Sequence, residues 1–292
     1  MSLKLEMLRA ARLSHSQLGD STSLVCGFLR SQLSPEGGFC DRSGRADLYY
    51  TVFGLEALIA LGAPMPPEIT PYLLGFGLGE KLDMVHLCCL IRCRASAGIP
   101  ASGADIEALL SRLESYRTSD GGYHPEPDAP AGSAYGCFFA AMAYEDLGRQ
   151  IPSKNEIVRC LKQLRAADGG FANQPHQPLG LTPSTSAIAT MLRALGEDVP
   201  SELESWLLSR RHPEGGFFAV PAAPIPDLLS TATALHALSC MGVTLDSFRE
   251  PCLDFIHSLW TGGGAFCGSW AVPTPDCEYT YYGLLALGHL SS

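Results

Sequence analysis

A Gly-Gly-aromatic doublet recurs along the chain, at Gly37-Gly38-Phe39, Gly121-Gly122-Tyr123, Gly169-Gly170-Phe171, Gly215-Gly216-Phe217 and Gly263-Gly264-Ala265-Phe266. The starts lie 84, 48, 46 and 48 residues apart, so the first gap hides an unmarked unit, placed at the degenerate run Gly75-Phe76-Gly77-Leu78-Gly79. A fixed period of this size marks a repeat architecture, in which each unit buries its apolar face only against its neighbours. Six such units are therefore expected, each turning sharply where glycine tolerates φ > 0 beside a space-filling aromatic.

Upstream of each doublet runs a helix-period segment such as Ile157-Val-Arg-Cys-Leu-Lys-Gln-Leu164. Downstream comes a more apolar one, as in Asp47–Leu58, Asp227–Leu238 and Asp276–Leu287, which stack without a gap. The Asp that opens each of these three suits an N-cap. A helix apolar on nearly all sides belongs inside and its charged partner outside. The expectation is an all-α, (α/α)6 toroid with inner and outer rings, forming one domain over residues 1–292. Closure suits six units better than an open solenoid, whose ends would need polar caps. Glu36, Asp120, Asp168 and Glu214, just before four doublets, read either as partners for a neighbouring helix N-terminus or as solvated turn acids.

The composition, 46% hydrophobic and 17% charged, is that of a well-packed globule. A net charge of −10 without a basic cluster argues against nucleic acid and anionic membrane surfaces. The first dozen residues alternate charges with leucines, unlike a secretory leader, and no stretch reaches the roughly 18 apolar residues of a membrane span. A cytoplasmic protein is expected. The eleven cysteines lie in apolar runs without CxxC pairs and read as reduced, buried thiols.

The segment from Gly37 to Gly62, GGFCDRSGRADLYYTVFGLEALIALG, closely resembles a repeat of the protein prenyltransferase β subunits, the geranylgeranyltransferases especially. The other doublets resemble this family and the squalene and terpenoid cyclases that share its toroid, over about residues 20 to 288. The resemblance implies a central apolar funnel for an isoprenoid diphosphate, a rim zinc that activates a substrate thiolate, and a helical-repeat α subunit as a partner. Family zinc is held by an Asp-x-Cys opening one inner helix and by a His three residues after the Asp position of the next repeat. At the usual location Asp227 matches the Asp, but Leu229 stands at the Cys and Tyr279 at the His. Asp47 and His86 hold the Asp and His positions in the first two repeats, with Tyr49 in place of Cys. The primary expectation is a toroid with no zinc or other cofactor, and Asp47 with His86 is the alternative metal site.

For a diphosphate, the resemblance points to Arg42, Arg45 and Lys81, the cations ahead of the inner-helix acids. Aromatics at inner-helix starts, Tyr49, Tyr50, Tyr135 and Tyr279 among them, suit a prenyl chain or a carbocation. Cyclases of this fold protonate an alkene with Asp-x-Asp-Asp, whose nearest match here is Asp276-Cys277-Glu278; Asp47, Asp227 and Asp276 are the candidate catalytic acids. The Asp-Asp-x-x-Asp pattern that holds magnesium is absent. The leading expectation is a prenyltransferase-like protein binding an isoprenoid diphosphate without a complete zinc site. The alternatives are a small terpenoid cyclase with a cavity acid at Asp276, Glu278 or Asp227, and a non-catalytic toroid whose cavity Tyr side chains plug.

Overall fold

In the computed structural model, which describes residues 2–291, α1 (Leu3–Arg12) and α2 (His15–Leu18) precede the repeats. The repeats are helical pairs: α3 (Thr22–Ser31) with α4 (Leu48–Ala60), α5 (Ile69–Leu74) with α6 (Met84–Ser96), and α7 (Gly103–Glu114) with α8 (Ala134–Asp146). The second half follows the same order, α9 (Lys154–Gln163) with α10 (Thr182–Ala194), α11 (Glu202–Leu208) with α12 (Leu228–Cys240), and α13 (Arg249–Ser258) with α14 (Cys277–His289). The second member of every pair is 13 residues long, and these helices touch in sequence, α4, α6, α8, α10, α12, α14 and back to α4. They are the inner ring, and the first members form the outer one. The expected (α/α)6 toroid is what the chain folds into, with the apolar helices inside.

The doublets explain both the turn and the closure. Gly37 has φ +102°, and a Cβ there would lie 2.3 Å from the Glu68 carbonyl oxygen at the start of the next outer helix. The sixth turn repeats this on the first repeat: at Gly264, φ +90°, a Cβ would lie 2.3 Å from the Leu24 carbonyl oxygen on α3. The ring is therefore closed by the same contact that joins its units. The aromatic after each doublet is buried, and its N–H donates to an inner-helix side chain, as Phe39 to Thr51 Oγ1 at 3.0 Å and Phe217 to Thr231 Oγ1 at 2.9 Å. This is why Asp, Thr and a closing Leu recur in register. Asp120 and Asp168 accept from glycine N–H groups of their own turns, Gly122 and Gly132 for one, Gly170 and Gly180 for the other, and Asp168 also faces Arg210 of the next repeat at 3.6 Å.

One end of the ring is stopped by α1, which packs on α14, α4 and α10 at the C-terminal ends of the inner helices. The Glu145 carboxylate at the end of α8 accepts the Leu3 N–H at 2.9 Å, an anion at the positive end of α1, and Lys4 pairs with Asp146 at 2.8 Å. The approach of α1 to α14 is close enough that a Cβ on Gly288 would stand 1.8 Å from the Ala10 carbonyl oxygen. All eleven cysteines are free, and eight of them are buried. No helix among the described residues is long and apolar enough to cross a membrane.

Candidate functional site

The ring encloses a cavity of about 340 Å³ that Tyr side chains do not plug. Its wall follows helical periodicity. The residues two, six and nine after the N-cap share one face of each inner helix, and that face supplies Leu229, Thr233 and His236 on α12 and Glu278, Tyr282 and Leu285 on α14. On α4 and α8 the same register contributes Tyr49 with Phe53 and Tyr135 with Phe139, so the wall is largely aromatic and aliphatic. Leu3 and Met7 of α1 form the floor. Arg92 also faces the cavity, held by the buried Glu56 carboxylate at 2.5 and 2.8 Å. Glu278 is the one acid on the lining among the described residues.

The rim is built from the N-terminal ends of the inner helices, and there the predicted acids serve as caps. Asp47 accepts from the Tyr49 N–H at 2.8 Å, Asp227 from the Ser230 N–H at 2.8 Å and Asp276 from the Tyr279 N–H at 2.8 Å. None of these three lines the cavity. Asp47, Asp227 and Asp276, the expected catalytic acids, thus stand at the helix ends as caps and not on the cavity lining.

The cations do not assemble into a diphosphate clamp. Arg42 Nε donates to the buried Asp276 carboxylate at 2.8 Å, and its guanidinium lies 4.9 Å from the centroid of the Tyr279 ring. Arg45 is 82% exposed and faces Asp41 at 3.7 Å, while Lys81 is exposed, and neither lines the cavity. Tyr49 and Tyr135 do line it; Tyr50 and Tyr279 lie beside it, Tyr50 in edge contact with Tyr49.

The alternative rim metal site does not fit a metal. His86 Nδ1 lies 2.9 Å from Asp83 and Nε2 lies 3.3 Å from Asp47. Its two ring nitrogens face opposite ways, so the two carboxylates and the imidazole do not converge on one point. The bond with Asp47, reinforced by Asp83, raises the His86 pKa to about 9, which makes an imidazolium held between two carboxylates. Leu229 and Tyr279 stand at the family positions, and among the described residues no group of three or more His, Cys, Asp or Glu with converging donor atoms lies at the rim.

Glu278 stands apart from these. It lies two residues after the Asp276 cap, half a helical turn round, and points into the cavity. Tyr49 Oη donates to Oε1 of Glu278 at 2.7 Å from across the α4–α14 seam. Burial pushes the carboxyl up to about 7, with the Asp276 charge adding to the effect and the Tyr49 hydrogen bond opposing it. Sequence reasoning named Glu278 in the Asp-x-Glu pair and as one of three alternative cavity acids, with Asp276 and Asp227. The stronger signal was positional: in the cap-plus-two register the other repeats carry Tyr49, Val85, Tyr135, Pro183 and Leu229, and only the sixth carries an acid.

Comparisons with known proteins agree with this architecture. The prenyltransferase alpha-alpha toroid domain family matches residues 4–91, 128–202 and 185–291. Among solved structures, the chain is similar to the type II terpene cyclase MstE from Scytonema in complex with geranylgeranyl dihydroxybenzoate, its substrate, at 14% identity over 97% of each chain and a TM-score of 0.61. It is similar also to Candida albicans protein geranylgeranyltransferase-I complexed with GGPP, at 15% identity over 98% of this chain and 82% of that one, TM-score 0.50. At such identities the likeness is one of fold. No curated protein matches the sequence.

Proposed function

Because the chain belongs to the prenyltransferase alpha-alpha toroid domain family, we propose that it takes up an isoprenoid chain in its central cavity and that Glu278 protonates that chain, starting a cyclisation. One observation carries this reading: Glu278 presents a carboxylic acid to an aromatic-lined apolar cavity, with its pKa lifted to about 7. An ordinary glutamate is ionised at neutral pH; this one keeps its proton in a large fraction of molecules, as a general acid must.

The chemistry balances without a redox partner. The Glu278 O–H proton passes to an alkene carbon, the alkene π pair forms the new C–H bond, and a carbocation remains on the neighbouring carbon. The next alkene closes a ring on that cation, and loss of a proton, which returns to the Glu278 carboxylate directly or through solvent, ends the sequence and resets the acid, so substrate and product are isomers. Tyr49 Oη, already bonded to Oε1, stabilises the carboxylate left behind. The rings of Phe53, Phe139 and Tyr282 offer π faces to the travelling positive charge. The apolar part of the wall, Leu229 and Leu285 included, disfavours water beside that charge.

The expected diphosphate headgroup has weaker support, since Arg42 is engaged by Asp276 and the other two cations sit outside the cavity. The test separates the two. Purified protein is incubated with a neutral geranylgeranyl substrate and, separately, with geranylgeranyl diphosphate, and products are resolved by chromatography and mass spectrometry. A cyclised isomer of the neutral substrate, lost in Glu278→Gln, is expected. Release of inorganic diphosphate with Glu278→Gln fully active would overturn the acid and restore the transferase reading.

A further inference from the structure

The floor of the cavity gathers a second set of polar groups that the proposed reaction does not use. His236 and Cys240 are one turn apart on α12 and share a face. Cys240 Sγ lies 3.8 Å from His236 Nε2 and 3.7 Å from Oε2 of Glu6, which α1 brings in from outside the repeats. One donor atom from each of the three lies within 4.8 Å of the others. A tetrahedral zinc with bonds of about 2.3 Å to sulfur and about 2.0 Å to nitrogen or oxygen sets its ligand atoms roughly 3.3–3.5 Å apart. The two distances to sulfur need to contract by only a few tenths of an ångström, and rotation of the Glu6 side chain brings in the third.

Two further features belong to a metal site more than to a polar knot. His236 turns its other nitrogen, Nδ1, to within 3.0 Å of His289 Nε2, the outer-sphere hydrogen bond that fixes the tautomer and orientation of a ligating imidazole. Oε1 of Glu6 is buried with no hydrogen-bond partner, so the carboxylate has an oxygen to spare. The opposing feature is Arg193, which donates to Glu6 and lies 3.4 Å from Cys240 Sγ. Burial pushes the Cys240 thiol up to about 11, so without metal it is protonated and donates to Oε2 of Glu6 while Arg193 balances that carboxylate; a zinc-class ion displaces the thiol proton on binding, as at any cysteine ligand.

We infer that Glu6, His236 and Cys240 form a binding site for a zinc-class divalent cation at the floor of the toroid. Thiolate and imidazole exclude calcium and magnesium, which take oxygen ligands. His236 lines the cavity, so an ion held by the three would stand at its edge and would take water or a polar atom of a ligand as a fourth ligand. Bound there, the ion ties α1 to α12 and fixes the floor. The site stands independently of the Glu278 reading, because it shares no residue with it.

The test is metal analysis of protein purified without a metal-affinity step, dialysed against excess zinc and then freed of loosely held metal. About one zinc per chain is expected in the wild type and well under half of that in Cys240→Ser and His236→Ala. His86→Ala, at the rim, keeps the wild-type content. Cobalt reconstitution of the wild type supplies a check that survives a variant failing to fold: a thiolate-to-cobalt charge-transfer band with intense tetrahedral ligand-field bands is expected, and the charge-transfer band is absent from Cys240→Ser. Zinc-free wild type after this treatment, a cobalt spectrum without the thiolate band, or zinc lost in His86→Ala and kept in Cys240→Ser would each overturn the site.

Discussion

The two ends of the toroid use their polar side chains differently. At the rim the positive ends of the inner helices converge, and Asp47, Asp83, Asp227 and Asp276 cap them. The rim cations then neutralise those caps, Arg42 on Asp276 and His86 between Asp47 and Asp83. At the floor the helices end in carbonyls, which no carboxylate is needed to cap, and the groups there are held by α1 or by one another. The polar residues that the fold itself requires are thus the conspicuous ones at the rim. Residues free for chemistry are those the repeat does not ask for: Glu278 in the wall, and the Glu6, His236, Cys240 group below.

Replacing Glu278 tests this division most severely. Glu278→Gln keeps the shape and removes the proton, so turnover of a neutral isoprenoid is expected to fall by about 10³-fold or more while substrate binding changes little. Asp276→Asn, which keeps one cap acceptor but loses the charge facing Arg42, is expected to act mainly on stability. Product formation and ligand binding measured side by side check both. Equal loss of turnover in the two variants would erase the distinction between wall and cap.

Gly288→Ala addresses the floor. By helix propensity alone alanine stabilises α14 by about 1 kcal/mol. The added Cβ would, however, sit 1.8 Å from the Ala10 carbonyl oxygen, backbone that yields only if α1 lifts. Overpacking of this kind costs about 1–3 kcal/mol, so net destabilisation is expected in chemical denaturation, with greater proteolytic access to residues 2–13. Stabilisation would show that α1 rests loosely on the floor.

How much of this the sequence discloses follows from the same division. The repeat is written in glycine, aspartate and threonine because backbone geometry demands them at fixed places, so the ring, its closure and the caps are legible. The role of α1 is not, because it lies outside the repeat and its charge and leucine pattern states amphipathicity without naming the surface it covers. Asp47, Asp227 and Asp276 attracted catalytic roles because capping and catalysis favour the same residue type at the same helix ends. Reading inner helices in the cap-plus-two, plus-six, plus-nine register separates the two uses. It leaves two acids, Glu56, which is buried and bound by Arg92, and Glu278, which lines the cavity, and it turns His236 inward as well.

The raised pKa of Glu278 has a smaller, stability-side signature. Its folded pKa, about 7, lies above the ordinary 4.5, so the folded state binds a proton that the unfolded chain has already released across that interval. Stability from this group is therefore present below about pH 4.5 and is lost as pH rises through about 7. Glu278→Gln removes the loss and is expected to be more stable than wild type at about pH 8, by about 2 kcal/mol, and near parity at about pH 5. Urea denaturation at the two pH values measures it, and a pH-independent difference would show that the carboxyl is not held protonated.

The rim pair gives a slope of the same sign in a higher pH window, and the smallest effect. His86 has its pKa raised from 6.5 to about 9 by Asp47 and Asp83, so its contribution is complete below about pH 6.5 and disappears as pH rises through about 9. The side chain is 36% exposed, and solvent screening reduces the gain to about 1 kcal/mol. His86→Gln is expected to lower stability by that amount at about pH 6 and by nothing measurable at about pH 10, with the difference shrinking in high salt. If zinc, and not protonation, governed this residue, metal addition at neutral pH would stabilise the wild type more than His86→Gln; an equal gain in both, set by the floor, assigns the rim to charge pairing alone.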